Sequence, residues 1–137
     1  MRHTIELDTD NQLAYIRYRG PMFAEHAVTV LKRMIAMPGW TPRCSRIVLY
    51  DEALLGEVAY ETLIAVRSEL SQIILEAYRD TPTYTAHVCA DRFKQPIVDY
   101  WISLAAGEYP VGLTRVDTIA EAQAWIARMR AEEPIRG

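Results

Sequence analysis

Apolar residues recur two apart in some stretches of this chain and three or four apart in others, and the two periods follow one another in a set order. Alternation belongs to strands and the longer period to amphipathic helices, so the order of periods is an order of elements. Residues 3–7 and 12–19 alternate on either side of the polar turn Asp8-Thr9-Asp10-Asn11, a hairpin signal closed by Gly20-Pro21. Phe23, Ala27, Val30, Leu31, Met34 and Ile35 then keep helical spacing until Pro38-Gly39 stops them. A short strand at 46–50 is followed by an acidic break at Asp51 and Glu52, and by a helix over 57–78 with Leu63, Val66, Leu70, Ile73, Ile74 and Ala77 on its apolar side.

Residues 83–90 alternate again, with Tyr84, Ala86, Val88 and Ala90 on one face and Thr85, His87 and Cys89 on the other. Pro96 suits the first turn of a third helix, which carries Ile97, Tyr100, Trp101, Leu104 and Ala105 and ends at Gly107. Residues 111–116 form the last strand. Thr118 and Glu121 make a capping box for a fourth helix whose buried side is Ala122, Trp125, Ile126 and Met129, with Arg128 and Arg130 complementing its dipole. The order β-β-α-β-α-β-α-β-α predicts an α/β fold with a mixed, mostly parallel five-stranded sheet.

A chain of 137 residues suffices for one domain with a buried core, and the balance of 50% hydrophobic to 24% charged residues excludes a disordered one. The net charge of -3 gives no general pull toward nucleic acid or an anionic membrane. No apolar run nears the roughly 20 residues that cross a bilayer. The opening MRHTIELD turns polar at once, so the expectation is a cytoplasmic chain without a signal peptide or transmembrane segment. Cys44 and Cys89 form no C-x-x-C pair and are expected as free thiols.

The chemistry-bearing side chains do not gather into a catalytic pattern. His87 and Cys89 share a strand face, which makes a thiol-imidazole pair conceivable, but a buried cysteine beside a satisfied histidine is the commoner arrangement. His3, His26 and His87 fall on three elements without ligand spacing, so no metal and no cofactor are expected. Asp51 and Asp91 both end strands, where helix capping is the usual role. Arg17 and Arg19 share a face with Tyr15, read as charges that protect a sheet margin rather than as a nucleic-acid surface.

The segments Tyr18-Arg19-Gly20-Pro21, Ile47-Val48-Leu49-Tyr50-Asp51 and Asp117-Thr118-Ile119-Ala120-Glu121-Ala122-Gln123-Ala124-Trp125-Ile126, taken in order, resemble the STAS-like (SpoIIAA-like) superfamily, especially its small stand-alone bacterial members. The likeness covers nearly the whole chain, as one STAS-like domain over 1–130 and a C-terminal tail over 131–137. It implies a strand-helix superhelix whose successive strands are neighbours, and activities that are mostly binding: anti-sigma-factor antagonists, cytoplasmic domains of anion transporters, relatives likened to Sec14-type lipid-binding domains. In the antagonists a serine or threonine at the start of the helix after the third strand is phosphorylated. Here that stretch, ALLGEVAY, has no hydroxyl but the tyrosine, with Thr62 the nearest candidate, further into the predicted helix.

Two functional expectations result. The favoured one is a non-enzymatic binding or regulatory module without the phosphorylation switch, using an edge of Asp51, Glu52, Glu57, Tyr60, Asp91, Arg92 and Lys94 toward a protein partner. The alternative is a carrier or sensor of a small apolar ligand, with Tyr60, Ile64, Phe93, Ile97 and Trp101 around a pocket between the second helix, the third helix and the sheet. With all helices on one side of the sheet, Thr85, His87, Cys89 and Tyr15 would line an uncovered second face, which leads to the expectation of a homodimer.

Overall fold

The computed structural model describes residues 2–56, 59–105 and 111–133. Among them the strands are β1 (Arg2–Asp8), β2 (Leu13–Pro21), β3 (Ser45–Leu54), β4 (Thr83–Val88) and β5 (Val111–Val116). The helices are α1 (His26–Ile35), α2 (Tyr60–Tyr78), α3 (Gln95–Ser103) and α4 (Ile119–Ala131). The five strands lie side by side in sequence order, β1 antiparallel to β2 and every later pair parallel. This is the α/β sheet that the alternating periods predict.

Local chemistry accounts for the ends of these elements. The Asp8 carboxylate accepts the backbone N–H and side-chain amide of Asn11 at 3.1 and 2.8 Å, which fixes the β1–β2 turn. Gly20 stays in the β2 ladder at φ 70°, a conformation that L side chains adopt only under strain, just after the register irregularity between Arg17 and Arg19. Pro96 lies in the first turn of α3. Thr118 Oγ1 accepts the N–H of Glu121 at 3.1 Å, while the Glu121 carboxylate reaches back to the Asp117 N–H at 3.5 Å, so the capping box closes one residue early.

Four expectations need correction. First, β3 does not stop at Tyr50: it runs through Asp51 and Glu52 to Leu54, because Arg19, Gly20 and Pro21 continue the ladder opposite Glu52, Ala53 and Leu54. Second, α1 begins at His26, whose Nδ1 accepts the Phe23 N–H, and Phe23 stays 63% exposed instead of joining the apolar stripe. Third, β4 ends at Val88, although the Cys89 N–H still bonds the Val116 carbonyl. Fourth, α2 begins at Tyr60, placing Thr62 in its first turn. Glu57, Gly107 and residues 134–137 of the tail lie outside the described residues.

The helices do not all collect on one side. Ala14, Ile16, Tyr18, Val48 and Tyr50 face α1, α2 and α3, whereas Leu13, Ile47, Leu49, Tyr84 and Ala86 face α4 through Ala122 and Ile126. Thr85, His87 and Cys89 are buried, with His87 and Cys89 toward α1–α3, and Tyr15 is on the opposite side with its hydroxyl bonded to Gln123 of α4 at 2.8 Å. The sheet thus has no uncovered second face: the side of His87 and Cys89 is covered by α1–α3 and the side of Tyr15 by α4. The end of that helix is fastened by Arg130, which donates to the carbonyls of Asn11 and Arg43 and to the Ser45 hydroxyl, a structural role beyond the dipole.

Candidate functional site

The alternation of β2, β3 and β4 sends one unusual set of side chains toward α1–α3. Register places Arg46 opposite Thr85 and Val48 opposite His87, with Tyr18 and Tyr50 further along the same face. All are buried: Tyr18 is 4% exposed, Arg46 6%, Tyr50 5%, Thr85 1% and His87 4%. Three rings run across the sheet, Tyr18 to Tyr50 at 5.9 Å between centroids and Tyr50 stacked on His87 at 5.7 Å.

Hydrogen bonds tie part of this set together. Arg46 Nε donates to Thr85 Oγ1 at 3.0 Å, and the Tyr50 hydroxyl meets His87 Nδ1 at 2.9 Å. His87 Nε2 is buried and has no hydrogen-bond partner among the described residues, which is uncommon for a polar atom so deep. Burial, and then the charges of Arg46 and Arg67, push the His87 pKa down to about 3, so the ring is neutral. Burial likewise raises the pKa of Tyr18 and Tyr50, keeping both hydroxyls protonated.

Above this polar floor is a cavity of about 70 Å³, measured as space open to the centre of a water molecule. That is several times the ~10–15 Å³ that admits one water. Arg46, Tyr18, Tyr50 and His87 form its floor, and Val30, Leu31, Leu63, Leu70, Val98 and Trp101 are among its walls. The exposed Phe23 is also among its lining residues. One wall is stiffened by Arg67 of α2, which lies 4.1 Å over the Trp101 ring and donates to the Trp101 carbonyl at 3.0 Å.

The residues expected at a partner edge are placed differently from one another. Asp51 pairs with Arg17 at 3.3 Å and Glu52 with Arg19 at 2.8 Å, so the fixed negative charge of the expected loop is matched, within the sheet, by β2. Lys94 ties β3 to the segment after β4, donating to the Tyr50 and Asp51 carbonyls at 3.0 and 3.4 Å with its ammonium 4.0 Å from Asp91. Asp91 Oδ1 also accepts the Phe93 N–H at 2.8 Å. Tyr60 packs edge-on against Tyr100 at 4.8 Å, Arg92 is exposed, and Glu57 lies outside the described residues.

Of the expected pocket residues, Ile97 and Trp101 line the cavity, whereas Tyr60, Ile64 and Phe93 are 63%, 51% and 93% exposed and do not. The cysteine-histidine pair does not form: His87 Nδ1 is taken by Tyr50, and the Cys89 thiol points to the Asp91 carbonyl at 3.8 Å. Burial raises the Cys89 pKa, so the thiol stays protonated. Among the described residues no three or more His, Cys, Asp or Glu side chains are grouped to hold a metal. None of the described helices is long and apolar enough to cross a membrane.

Arg46, Arg67, Tyr18 and Tyr50 were not expected as site residues from the sequence, yet a signal for them exists. Arg46, Val48 and Tyr50 share a strand face, and Arg67 falls among Leu63, Leu70 and Ile74 at the spacing of a buried helix stripe. A cation in a position that the period assigns to the interior marks an interior with something polar in it. Comparison of the chain with family models, with curated proteins and with solved structures finds no match.

Proposed function

We propose that the protein is a non-enzymatic binding module of the STAS-like type that holds a small, mainly apolar ligand between the sheet and α1–α3. The observation that carries this is the cavity with a floor of buried polar residues, among them His87, whose Nε2 has no partner among the described residues. A packed interior closes such space or lines it only with apolar atoms, because an unbonded buried polar atom costs free energy that a bound molecule recovers. The sequential strand order accords with the superhelix that the STAS-like resemblance implies.

The carrier reading gains over the partner-edge reading because the edge charges are spent internally. Asp51, Glu52 and Lys94 each have an intramolecular partner, which leaves Arg92 as the edge cation with the least structural duty. A carrier needs no nucleophile, in keeping with a protonated Cys89 and a neutral His87 already bonded to Tyr50.

Native mass spectrometry of the protein taken from its own cells tests the reading. The expected result is a one-to-one adduct that is released on denaturation and is absent from L63W, whose indole fills the cavity. A ligand-free mass, together with no rise in Tm from small apolar alcohols, amides or carboxylates at millimolar concentration, overturns it.

A further inference from the structure

We infer that the ligand is a small carboxylate, its head seated on the Arg46 guanidinium and its apolar body lying against Val30, Leu63 and Trp101. This rests on reading the cavity as a ligand site and names what that site selects. Arg46 is 6% exposed and permanently charged. Its one hydrogen bond among the described residues goes to a neutral group, Thr85 Oγ1 at 3.0 Å, and no carboxylate there pairs with it.

The exposed arginines are treated differently. Arg17, Arg19 and Arg115 are each paired with an acid, at 3.3, 2.8 and 2.7 Å, although water already solvates them. A buried ion gains far more from a counter-charge than an exposed one, so Arg46 is the guanidinium of this group most in need of an anion. Arg46 lines the cavity, its Nε is spent on Thr85, and Nη1 and Nη2, which make no hydrogen bond among the described residues, form an end-on fork that matches the two oxygens of a carboxylate.

The neighbouring groups also offer hydrogens. If the Tyr50 hydroxyl donates to His87 Nδ1, the second ring nitrogen carries a proton that no group among the described residues accepts. If instead Nδ1–H donates to the Tyr50 oxygen, the hydroxyl proton is the one left over. Either tautomer leaves one donor of the pair unspent. The Tyr18 hydroxyl, also at the floor, makes no hydrogen bond among the described residues.

A cationic ligand head would meet Arg46 and be repelled, and a wholly apolar ligand would leave these donors unbonded. A phosphate monoester, with more charge and three oxygens to satisfy, exceeds what one guanidinium and a narrow apolar chamber provide. Arg67 is not the second cation of the site, for its guanidinium is stacked on Trp101 and bonded to that residue's carbonyl.

The test compares hexanoate with hexanamide, and benzoate with benzamide, by titration calorimetry on the full chain at neutral pH. Each pair differs in charge and hardly in shape. The expected result is a carboxylate at least about tenfold tighter than its amide, a preference that R46M abolishes while keeping the amide's affinity. Y50F, which keeps the ring and removes the hydroxyl, is expected to weaken the carboxylate severalfold, and it serves if R46M does not fold. Equal affinity for acid and amide in the unaltered protein overturns the inference and leaves the cavity reading standing; failure of all four to bind overturns both.

Discussion

The two sides of this sheet are built from the same strands and do opposite things. On the α4 side, Leu13, Ile47, Leu49, Tyr84 and Ala86 meet Ala122 and Ile126, and both α4 residues are almost wholly buried. On the α1–α3 side the same three central strands present Tyr18, Arg46, Tyr50, Thr85 and His87, and a cavity remains above them. Consecutive residues of one strand, such as Arg46 and Ile47 or Ala86 and His87, belong to the two sides in turn. The difference teaches that one layer fastens the sheet, while the other gives up dense packing for a hollow that polar groups surround.

The largest contrast is expected from matched truncations. I126A removes side-chain atoms that are packed all round, and should cost about 4 kcal/mol, near the upper part of the range for such changes. L63A removes atoms that already border empty space, have fewer neighbours to lose, and should cost about 2 kcal/mol. Urea unfolding with unchanged slope reads both from the midpoints. Equal losses would mean that the hollow is closed in solution, and the comparison between the two sides would fail.

Much of the fold, and little of the site, was legible in the sequence, for one physical reason. Period and capping are local, so Pro96 in α3, the Thr118-Glu121 box and the buried side of α4 could be read from neighbours in the chain. Which face of a strand is covered depends on where a distant helix returns. The alternation of Thr85, His87 and Cys89 therefore separated two faces without telling that helices cover both. The acidic pair misled similarly: Asp51 and Glu52 look like a break until Arg17 and Arg19, from another strand, are placed beside them. Phe23, Ile64 and Phe93 look like core or pocket residues by type, yet they are more than half exposed, because an apolar side chain does not state its surroundings.

The next effect in size separates the sides by pH. His87 has a folded-state pKa of about 3 against 6.5 for a free imidazole, with burial as the main cause and the charges of Arg46 and Arg67 adding to it. Because the unfolded chain takes up the proton first, the stability from this buried neutral ring is complete above about pH 6.5 and is lost as pH falls toward about 3. Each unit within that window removes at most about 1.4 kcal/mol, so the loss by pH 4 is on the order of 3 kcal/mol. Carboxylates titrate over the lower part of the same range, so the informative quantity is the difference from H87Q, which takes up no proton there. Parallel curves for the two proteins would show that His87 is reached by water in the folded state. The α4 side has no buried histidine among the described residues, and substitutions there should shift the curve without changing its shape.

The smallest effect expected comes from adding atoms instead of removing them. A122L places a large side chain where α4 sits against the sheet with no exposure at all, and should cost about 2 kcal/mol through displaced neighbours. A27L, from the first turn of α1, points its added atoms into the 70 Å³ hollow and should change stability by less than about 1 kcal/mol in either direction. The two substitutions are chemically identical and both sit on helices, so propensity cancels and the sign of the difference reports the space each helix covers. A27L has a second consequence that A122L lacks: with the chamber partly filled, hexanoate should bind it more weakly than the unaltered protein, at little cost to the fold. A stable A27L that binds as well as the unaltered protein would place the ligand elsewhere and remove the reason for the hollow side to differ from the packed one.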